Sequence, residues 1–283
     1  MNSLIDALRL AELQQSDGAI VLDASLHLPA AGRDARAEFS AGHIPGARHL
    51  DLASLADPAA AAPGAVPSID QFAERLASLG VEAGRRVVLY DDSTLRTSAR
   101  AWFILRLYGW QDVAILDGGL AAWRAAGLPL ETGTAGVARS RLSADDLRRN
   151  GSSLRDKAQM LANLDRGAEQ VVDARDAERF TGRHLDTVHN LLGGHIPGSR
   201  NLTFSSLLTE DGRFRTLAEL RARFDAAGID LARPLVGTCG SGITASVVLF
   251  AAHLLGAKAA LYDGSWQDWG ADPGTPKELG EAV

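Results

Sequence analysis

The only cysteine among the 283 residues, Cys239, stands in a segment whose composition suits covalent chemistry. It lies within LVGTCGSGITASVV (235–248), after an apolar run typical of a strand and before a run rich in Ala, Val and Leu that is typical of a helix. A thiol at such a junction meets inward-facing backbone N–H groups and the partial positive charge of a helix N-terminus, and both favour the thiolate. Because the thiolate is a nucleophile, the segment predicts a catalytic Cys239. The alternative is a small buried residue in a glycine-rich turn, since free cysteines are commonly buried.

The residues that follow the thiol are expected to form an anion-binding loop. Gly240 and Gly242 permit unusual backbone angles and keep side chains out of the loop, so that amide groups can turn inward. Thr244, at the end of the loop, either directs its hydroxyl at the sulfur or caps the helix. We predict that the substrate is bound by the residues directly after the cysteine, which are Gly240, Ser241, Gly242, Ile243 and Thr244.

The chain contains an internal repeat with an offset of about 150 residues. Three segments of the first half return in the same order in the second: VLDA (21–24) as VVDA (171–174), AGHIPGARHL (41–50) as GGHIPGSRNL (193–202), and ILDGGLAAW (115–123) as LYDGSWQDW (261–269). Matches in order with nearly constant spacing indicate a duplicated domain. We predict an N-terminal domain over residues 1–135, a linker over 136–155 and a C-terminal domain over 156–283.

Each copy alternates short apolar, β-branched runs with longer amphipathic stretches, which is the pattern of an α/β fold. The predicted strands are 19–24, 47–51, 86–91 and 112–118 in the first copy and 171–174, 199–203, 234–238 and 259–264 in the second. The predicted helices include 68–80, 96–109, 217–227 and 243–255. Strands that alternate with helices in this way predict, in each domain, a parallel β-sheet flanked by helices on both faces.

The features that the two copies share are interpreted as structural. His43 and His195 occur in GHIPG in both copies, and we expect them to brace a tight turn. The same interpretation applies to three further pairs, which are Asp117 and Asp263, Trp123 and Trp269, and Asp23 and Asp173. Residues present in one copy only are therefore the candidates for chemistry.

The loop around the thiol differs between the copies. Aligning the two segments on the strand and on the threonine that follows the loop sets Asp92 opposite Cys239, with Ser93 and Leu95 opposite the two glycines of the second copy. A carboxylate and two side chains thus replace a thiol and two open positions. This contrast predicts one working site in the C-terminal half and a degenerate one in the N-terminal half.

Charge and composition argue against several classes of binding partner and cofactor. The formal net charge is −6 with no offsetting basic stretch, which argues against a nucleic-acid or anionic-membrane partner. A lone cysteine forms no internal disulfide, and no uncharged apolar run approaches the roughly 18 residues of a membrane span, so we expect a cytoplasmic protein. The cysteine and histidines lack metal-ligand spacing, and neither a metal nor a cofactor is expected. The oligomeric state is left open.

The motifs together resemble those of a known family. GHIPG in both halves, DGG and DGS followed by Trp near each domain's end, and CGSGIT in the second half are similar to the two-domain rhodanese sulfurtransferases. The resemblance covers nearly the whole chain. It implies an inert N-terminal domain and a Cys239 that carries sulfur as a persulfide, taken from a small anionic donor and passed to a thiol or cyanide acceptor.

Within that family the loop resembles the members that act on 3-mercaptopyruvate, which typically read C-G-S-G-[VI]-T. Members specialised for thiosulfate usually carry basic side chains after the cysteine, whereas Gly240 and Ser241 are neutral. The resemblance further implies that Arg179, in AERFTG, binds the substrate carboxylate, and a guanidinium is well shaped for that task.

Three positions depart from the mercaptopyruvate pattern. Val188 stands where a second arginine is usual, and Ala53 and Gly64 stand where an aspartate and a histidine are usual. Neither Ala53 nor Gly64 can transfer a proton. The side chains that could partly replace the missing arginine are Arg183, His184 and His189.

Two further interpretations of the function stay open. One is a thiosulfate:cyanide sulfurtransferase, and the other is a persulfide-binding relay module with little turnover. A phosphatase of similar fold would need an arginine six positions after the cysteine, where this chain has Ala245.

Overall fold

The computed structural model describes residues 3–16, 18–60, 62–134 and 136–281. These form two compact units: one comprises Met1–Asp57, Val66–Asn150 and Glu210–Phe214, and the other Pro58–Ala65, Gly151–Thr209 and Arg215–Val283. Each unit contains a five-stranded parallel sheet. The α/β class and the tandem arrangement predicted from the sequence are therefore confirmed.

The first unit builds its sheet in the order β1-β5-β4-β2-β3. Its strands are β1 (Leu4–Ile5), β2 (Ile20–Asp23), β3 (Arg48–His49), β4 (Val87–Tyr90) and β5 (Val113–Leu116). Its α-helices are α1 (Ala7–Gln15), α2 (Ala35–Ala41), α3 (Ile69–Ser78), α4 (Ser98–Leu107) and α5 (Gly119–Ala125). Helix α3 begins at the predicted N-cap Ser68, which forms a capping box with Gln71.

The second unit repeats the topology in the order β6-β10-β9-β7-β8. Its strands are β6 (Leu154–Arg155), β7 (Gln170–Asp173), β8 (Arg200–Asn201), β9 (Leu235–Thr238) and β10 (Ala259–Tyr262). Its α-helices are α6 (Lys157–Arg166), α7 (Ala177–Thr181), α8 (Leu217–Ala226), α9 (Ile243–Leu254) and α10 (Ser265–Trp269). All strands and helices predicted above exist, with shorter bounds in most cases.

The strand order explains why both faces of each sheet are covered. From β2 the chain moves one way to β3 and then back across to β4 and β5, and right-handed crossovers place the connecting helices on opposite faces for opposite directions. One core cluster of the first unit packs α1 and α5 against β2, β4 and β5. Buried on both faces, β4 and β9 consist entirely of buried residues, as parallel strands do.

Two of the edge strands, β1 and β6, were not predicted from the sequence. Strands β1 and β6 are only two residues long, too short for a periodic signal. The predicted linker is divided between the two units: the amide of Asn150 bonds to the carbonyl of Leu107 in the first unit, whereas Leu154 pairs with Leu261 of the second sheet. The predicted boundary residue, Ala135, lies outside the described residues.

Two of the residue pairs shared by the copies, the histidines and the tryptophans, have matching structural roles. Nδ1 of His43 lies 2.8 Å from the carbonyl of Phe39, and Nδ1 of His195 lies 2.9 Å from the carbonyl of Phe180, each ring stacked on that phenylalanine. Trp123 and Trp269 donate their indole N–H groups to backbone carbonyls. Their predicted structural role is confirmed. Among the described residues, no helix is both long and apolar enough to cross a membrane.

Candidate active site

Cys239 directly follows β9, and the next residues lead into α9. The thiol is buried, with 1% of the residue exposed. Its Sγ accepts the backbone N–H of Gly242 at 3.1 Å, and Gly242, at the N-cap of the twelve-residue helix, has the left-handed φ of 80° that glycine tolerates best. The sulfur therefore lies at the positive end of a helix with an amide directed at it, which favours negative charge on that atom.

The loop is fixed to the neighbouring strand–helix turn. The carbonyls of Cys239 and Gly240 accept the amides of Trp266 and Gln267, both at 2.9 Å. The amide of Cys239 donates to Oγ of Ser265 at 3.2 Å, and that hydroxyl donates to the carbonyl of Tyr262. Because backbone and side-chain bonds both hold the loop, its amides are preorganised and need not reorient when charge develops.

The two predicted reasons for the glycines apply to different positions. The φ of Gly240 is not in the left-handed region; instead, a Cβ at this position would lie 2.0 Å from Cε1 and 2.7 Å from both ring nitrogens of His189. The imidazole therefore lies against the backbone next to the thiol. The unusual backbone angle is found at Gly242 and not at Gly240, where the absence of a side chain is what matters.

We expect Gly240→Ala to force the imidazole of His189 out of place and to lower the free energy of unfolding by about 1–3 kcal/mol, as overpacking does. Gly151→Ala is the matched control, because a Cβ there meets nothing within 4 Å. Urea unfolding of both variants measures the difference. Equal stability of the two would contradict the close packing described above.

The remaining loop residues differ in their exposure. Ser241, Ile243 and Thr244 are all half-buried, whereas Gly242 is buried. Thr244 is the second residue of α9, and the N-cap is Gly242 without a side-chain cap, so the interpretation of Thr244 as the cap is wrong. A hydroxyl one residue inside the helix cannot serve as the N-cap.

The equivalent loop of the first unit is longer than the sequence alignment assumed. Pairing with β2 and β7 sets Tyr90 level with Thr238, so that Asp91, not Asp92, corresponds to Cys239. The carbonyl of Asp91 accepts the amide of Leu120 just as that of Cys239 accepts the amide of Trp266. Residues 91–97 separate β4 from α4, against 239–242 in the second unit, and this difference in loop length displaced the alignment.

The carboxylate of Asp91 is bound by backbone amides of its own loop and of the helix that follows. Its carboxylate, 1% exposed, accepts the amides of Ser93 and Ser98 at 3.0 and 2.9 Å. Side chain and backbone thus close the loop that in the second unit surrounds the thiol. The contrast between a thiol loop and a self-bonded carboxylate loop holds after the correction in register.

A buried arginine that the sequence analysis missed lies close to the thiol. Arg175, 1% exposed, donates from Nη2 to Asp173 at 2.6 Å and to the carbonyl of Gly194 at 2.6 Å, and its guanidinium lies 4.5 Å from the ring centre of Trp266. Burial lowers the pKa of Arg175, but the charges of Asp173, Asp186 and Cys239 together raise it. The sequence signal that could have identified Arg175 is its position two residues after Asp173, at the carboxyl end of β7, where ligands of parallel sheets collect.

Arg179, the predicted carboxylate ligand, joins the same group of charges. It lies in α7 and donates from Nε to Asp176 at 2.6 Å, while Nη1 lies 3.5 Å from Asp186. Its Nη2 makes no hydrogen bond within the described part of the chain, and the side chain is about one-fifth exposed. One edge of the guanidinium thus remains available to a ligand.

Asp186 links these groups to His189. Its fully buried carboxylate accepts Nδ1 of His189 at 2.9 Å and faces Nη1 of Arg175 at 3.7 Å. Burial raises the pKa of Asp186, but the hydrogen bond from His189 and the charges of His189, Arg179 and Arg175 lower it below its ordinary value. Asp186 is therefore ionised at neutral pH.

The positions that departed from the family pattern have different surroundings. Val188 is exposed, and so is Ala53, in a 3-10 turn of the first unit. Gly64 belongs to the second unit, where a Cβ would lie 3.8 Å from the carbonyl oxygen of Ser241. Of the three side chains considered as replacements, His189 contacts the thiol loop.

The other two side chains considered as substitutes for the missing arginine lie on the surface. Arg183, 69% exposed, pairs with Glu281, and His184, 64% exposed, pairs with Glu178. The structure thus brings His189 against the loop that carries Cys239. Asp186 connects His189 to both Arg175 and Arg179.

Comparison with known proteins decides the family. A model of the rhodanese-like domain matches residues 6–126 and again 156–272. The chain is a member of the rhodanese family. This rhodanese-family protein is 40% identical over 252 residues to 3-mercaptopyruvate sulfurtransferase of Mus musculus, covering 88% of this chain and 84% of that one. It is 37% identical over 255 residues to thiosulfate sulfurtransferase of Gallus gallus, covering 89% and 86%.

A solved structure extends the likeness to three dimensions. The crystal structure of SseA from Escherichia coli, described as a 3-mercaptopyruvate sulfotransferase, superposes on this rhodanese-family protein with a TM-score of 0.85 and 33% identity, covering 94% of this chain and 99% of that one. The resemblance drawn from GHIPG and CGSGIT is thereby confirmed.

Proposed function

We propose that this rhodanese-family protein is a sulfurtransferase that moves sulfur from 3-mercaptopyruvate, through a Cys239 persulfide, to a thiol or cyanide acceptor. The observation that carries the proposal is the amide of Gly242 directed at Sγ from the start of α9. The relatives named above, which carry the names of mercaptopyruvate and thiosulfate sulfurtransferases, support it. A reducing compartment such as the cytoplasm is the proposed location, because it keeps acceptor thiols reduced.

The first half-reaction loads the cysteine. The Cys239 thiolate attacks the thiol sulfur of mercaptopyruvate, an S–S bond forms, and the C–S bond breaks so that its electron pair passes to the enolate of pyruvate. The enolate takes up one proton and leaves as pyruvate, and Cys239 holds the sulfur as a persulfide. In this proposal Arg179 binds the substrate carboxylate and the loop amides stabilise the developing charge.

The second half-reaction returns the thiolate. An acceptor thiolate attacks the outer sulfur of the persulfide and becomes a persulfide itself, whereas cyanide becomes thiocyanate. The donor assignment rests on Gly240 and Ser241 themselves, which are neutral at the loop positions where thiosulfate-specific members of the family usually carry basic side chains. Thiosulfate is the second candidate donor, because relatives named thiosulfate sulfurtransferase are about as similar to this chain.

Mass spectrometry of the intact protein and of its Cys239 peptide, after incubation with each donor, tests the proposal. We expect a mass increase of one sulfur atom on Cys239 with mercaptopyruvate, and its loss when a thiol is added. No persulfide with either donor would end the proposal. A higher kcat/KM for thiosulfate would assign the other donor, and stable loading without release to thiols would indicate a relay module.

We expect Arg179→Gln to raise the KM for mercaptopyruvate roughly 10–100-fold with a smaller change in kcat, since a charge-assisted hydrogen bond to the carboxylate is lost. Steady-state kinetics checks this result. Arg183→Gln is the control, because that arginine is exposed and pairs with Glu281. A KM within twofold of the wild-type value would show that Arg179 does not bind the carboxylate.

A further inference from the structure

His189 lies within a closed turn, residues 186–191, and its ring packs against Gly240 of the thiol loop. Asp186 and Leu191 pair as an antiparallel bridge, with their amides and carbonyls exchanging bonds of 2.9 and 3.1 Å. The amide of His189 bonds back to the carbonyl of Asp186 at 3.2 Å, and Asn190 takes a left-handed φ of 55° that completes the turn. The carbonyl of Leu192 then accepts the indole N–H of Trp266. The imidazole is thus fixed by its backbone.

A hydrogen bond and close packing of the imidazole ring also fix its orientation. Nδ1 bonds to the ionised carboxylate of Asp186 at 2.9 Å, and a carboxylate can only accept, so Nδ1 carries the proton. The ring lies against Gly240, with the side chain 10% exposed. Nε2 makes no hydrogen bond within the residues that the structure describes. Nε2 is therefore the atom that can exchange a proton with a ligand at Cys239.

The ring lies beside a cluster of charged side chains. Oδ1 of Asp186 bonds to the ring and also lies 3.5 Å from Nη1 of Arg179, while Oδ2 lies 3.7 Å from Nη1 of Arg175. Each arginine has a second carboxylate partner, which are Asp176 and Asp173. Three carboxylates and two guanidinium groups give the cluster a formal charge of −1, and the Cys239 thiolate adds another negative charge nearby.

We propose that His189, oriented by Asp186, is the general acid of the first half-reaction. The inference rests on the sulfur transfer proposed above. As the Cys239 thiolate takes the donor sulfur and the C–S bond breaks, the proton on Nε2 passes to the pyruvate enolate. Neutral His189 then takes a proton from the new persulfide S–H or from solvent, so that protons balance, the sulfurs of donor and cysteine become joined, and the donor carbon is reduced from C–S to C–H.

The two candidate donors differ in their need for this proton. Mercaptopyruvate leaves as an enolate, which must be protonated to become pyruvate. Thiosulfate leaves as sulfite, a stable dianion that needs no proton when Cys239 takes the outer sulfur. A general acid therefore accelerates loading from mercaptopyruvate and not loading from thiosulfate, whereas a residue that only supports the loop affects both donors.

Single-turnover persulfide formation with His189→Gln tests the proposal, followed by rapid quenching and mass spectrometry. We expect the rate with mercaptopyruvate to fall roughly 10²-fold, the lower range for loss of a general acid, and the rate with thiosulfate to change less than threefold. Loading by thiosulfate also shows that the variant is folded. His184→Gln is the control, because that histidine is exposed and pairs with Glu178.

The comparison of the two donors separates the assignment of His189 from the proposed function. An equal loss with both donors, or no loss with either, would overturn the assignment of His189 while leaving Cys239 chemistry in place. Failure of the wild-type protein to form a persulfide from mercaptopyruvate would overturn the proposed function instead.

Discussion

Replacing Cys239 with serine is expected to abolish sulfur transfer, with a loss of roughly 10⁴-fold or more in kcat. An alcohol cannot hold sulfur as a persulfide and is not ionised at neutral pH, although it can accept the amide of Gly242 as the sulfur does. Steady-state turnover with mercaptopyruvate and with thiosulfate measures the loss. Mass spectrometry should find no persulfide with either donor.

The same variant should remain folded. Serine is nearly the same size as cysteine, and an accepted hydrogen bond from Gly242 keeps its buried hydroxyl partnered, so we expect the free energy of unfolding to change by about 1 kcal/mol or less. Urea unfolding provides this control. Turnover above one hundredth of the wild-type rate in a folded Cys239→Ser protein would place the nucleophile elsewhere.

Replacing Arg175 with methionine is expected to lower the free energy of unfolding by about 3–5 kcal/mol at neutral pH. The guanidinium is 1% exposed and pairs with Asp173, while its Nη1 faces Asp186. Its removal leaves the buried carboxylate of Asp173 without its cation and takes one of the positive neighbours from Asp186, which keeps His189 and Arg179. Methionine matches the length of the arginine stem, and the loss therefore reports charge more than volume. Urea unfolding at pH 7 measures it.

The loss should depend on pH. The folded-state pKa of Asp186 is below its ordinary value, so its contribution to stability is present above the ordinary aspartate pKa of about 3.9 and disappears as the pH falls through the folded-state pKa. Because the charge of Arg175 contributes to that lowering, the cost of Arg175→Met should shrink in acid, where Asp186 is protonated. Arg183→Met, at an exposed position, should change stability by about 0.5 kcal/mol or less. A cost below about 1 kcal/mol at pH 7 would contradict the buried ion pair.

Local sequence patterns predicted much of the fold of this protein. The duplication, the central strands and the helices at Ser68 and after Gly242 are visible because hydrophobic periodicity, capping residues and glycines act within a few residues. The position of Cys239 between β9 and α9 follows from the same local signals. The contrast between its loop and that of the first unit was also visible, although the exact register was not.

Only the tertiary structure decided which charged groups surround the thiol. Pairing of β7 with β9 brings Arg175 beside Cys239, 64 residues away in sequence (239 minus 175). The turn at Asp186 places His189 on Gly240, 51 residues away (240 minus 189). No local pattern marks such partners, because an arginine or histidine in a loop is ordinarily solvated. The same holds for Asp91, whose correspondence to Cys239 depends on strand pairing. Burial and proximity are properties of the packed sheet, and they turn these otherwise unremarkable side chains into a coupled charge cluster.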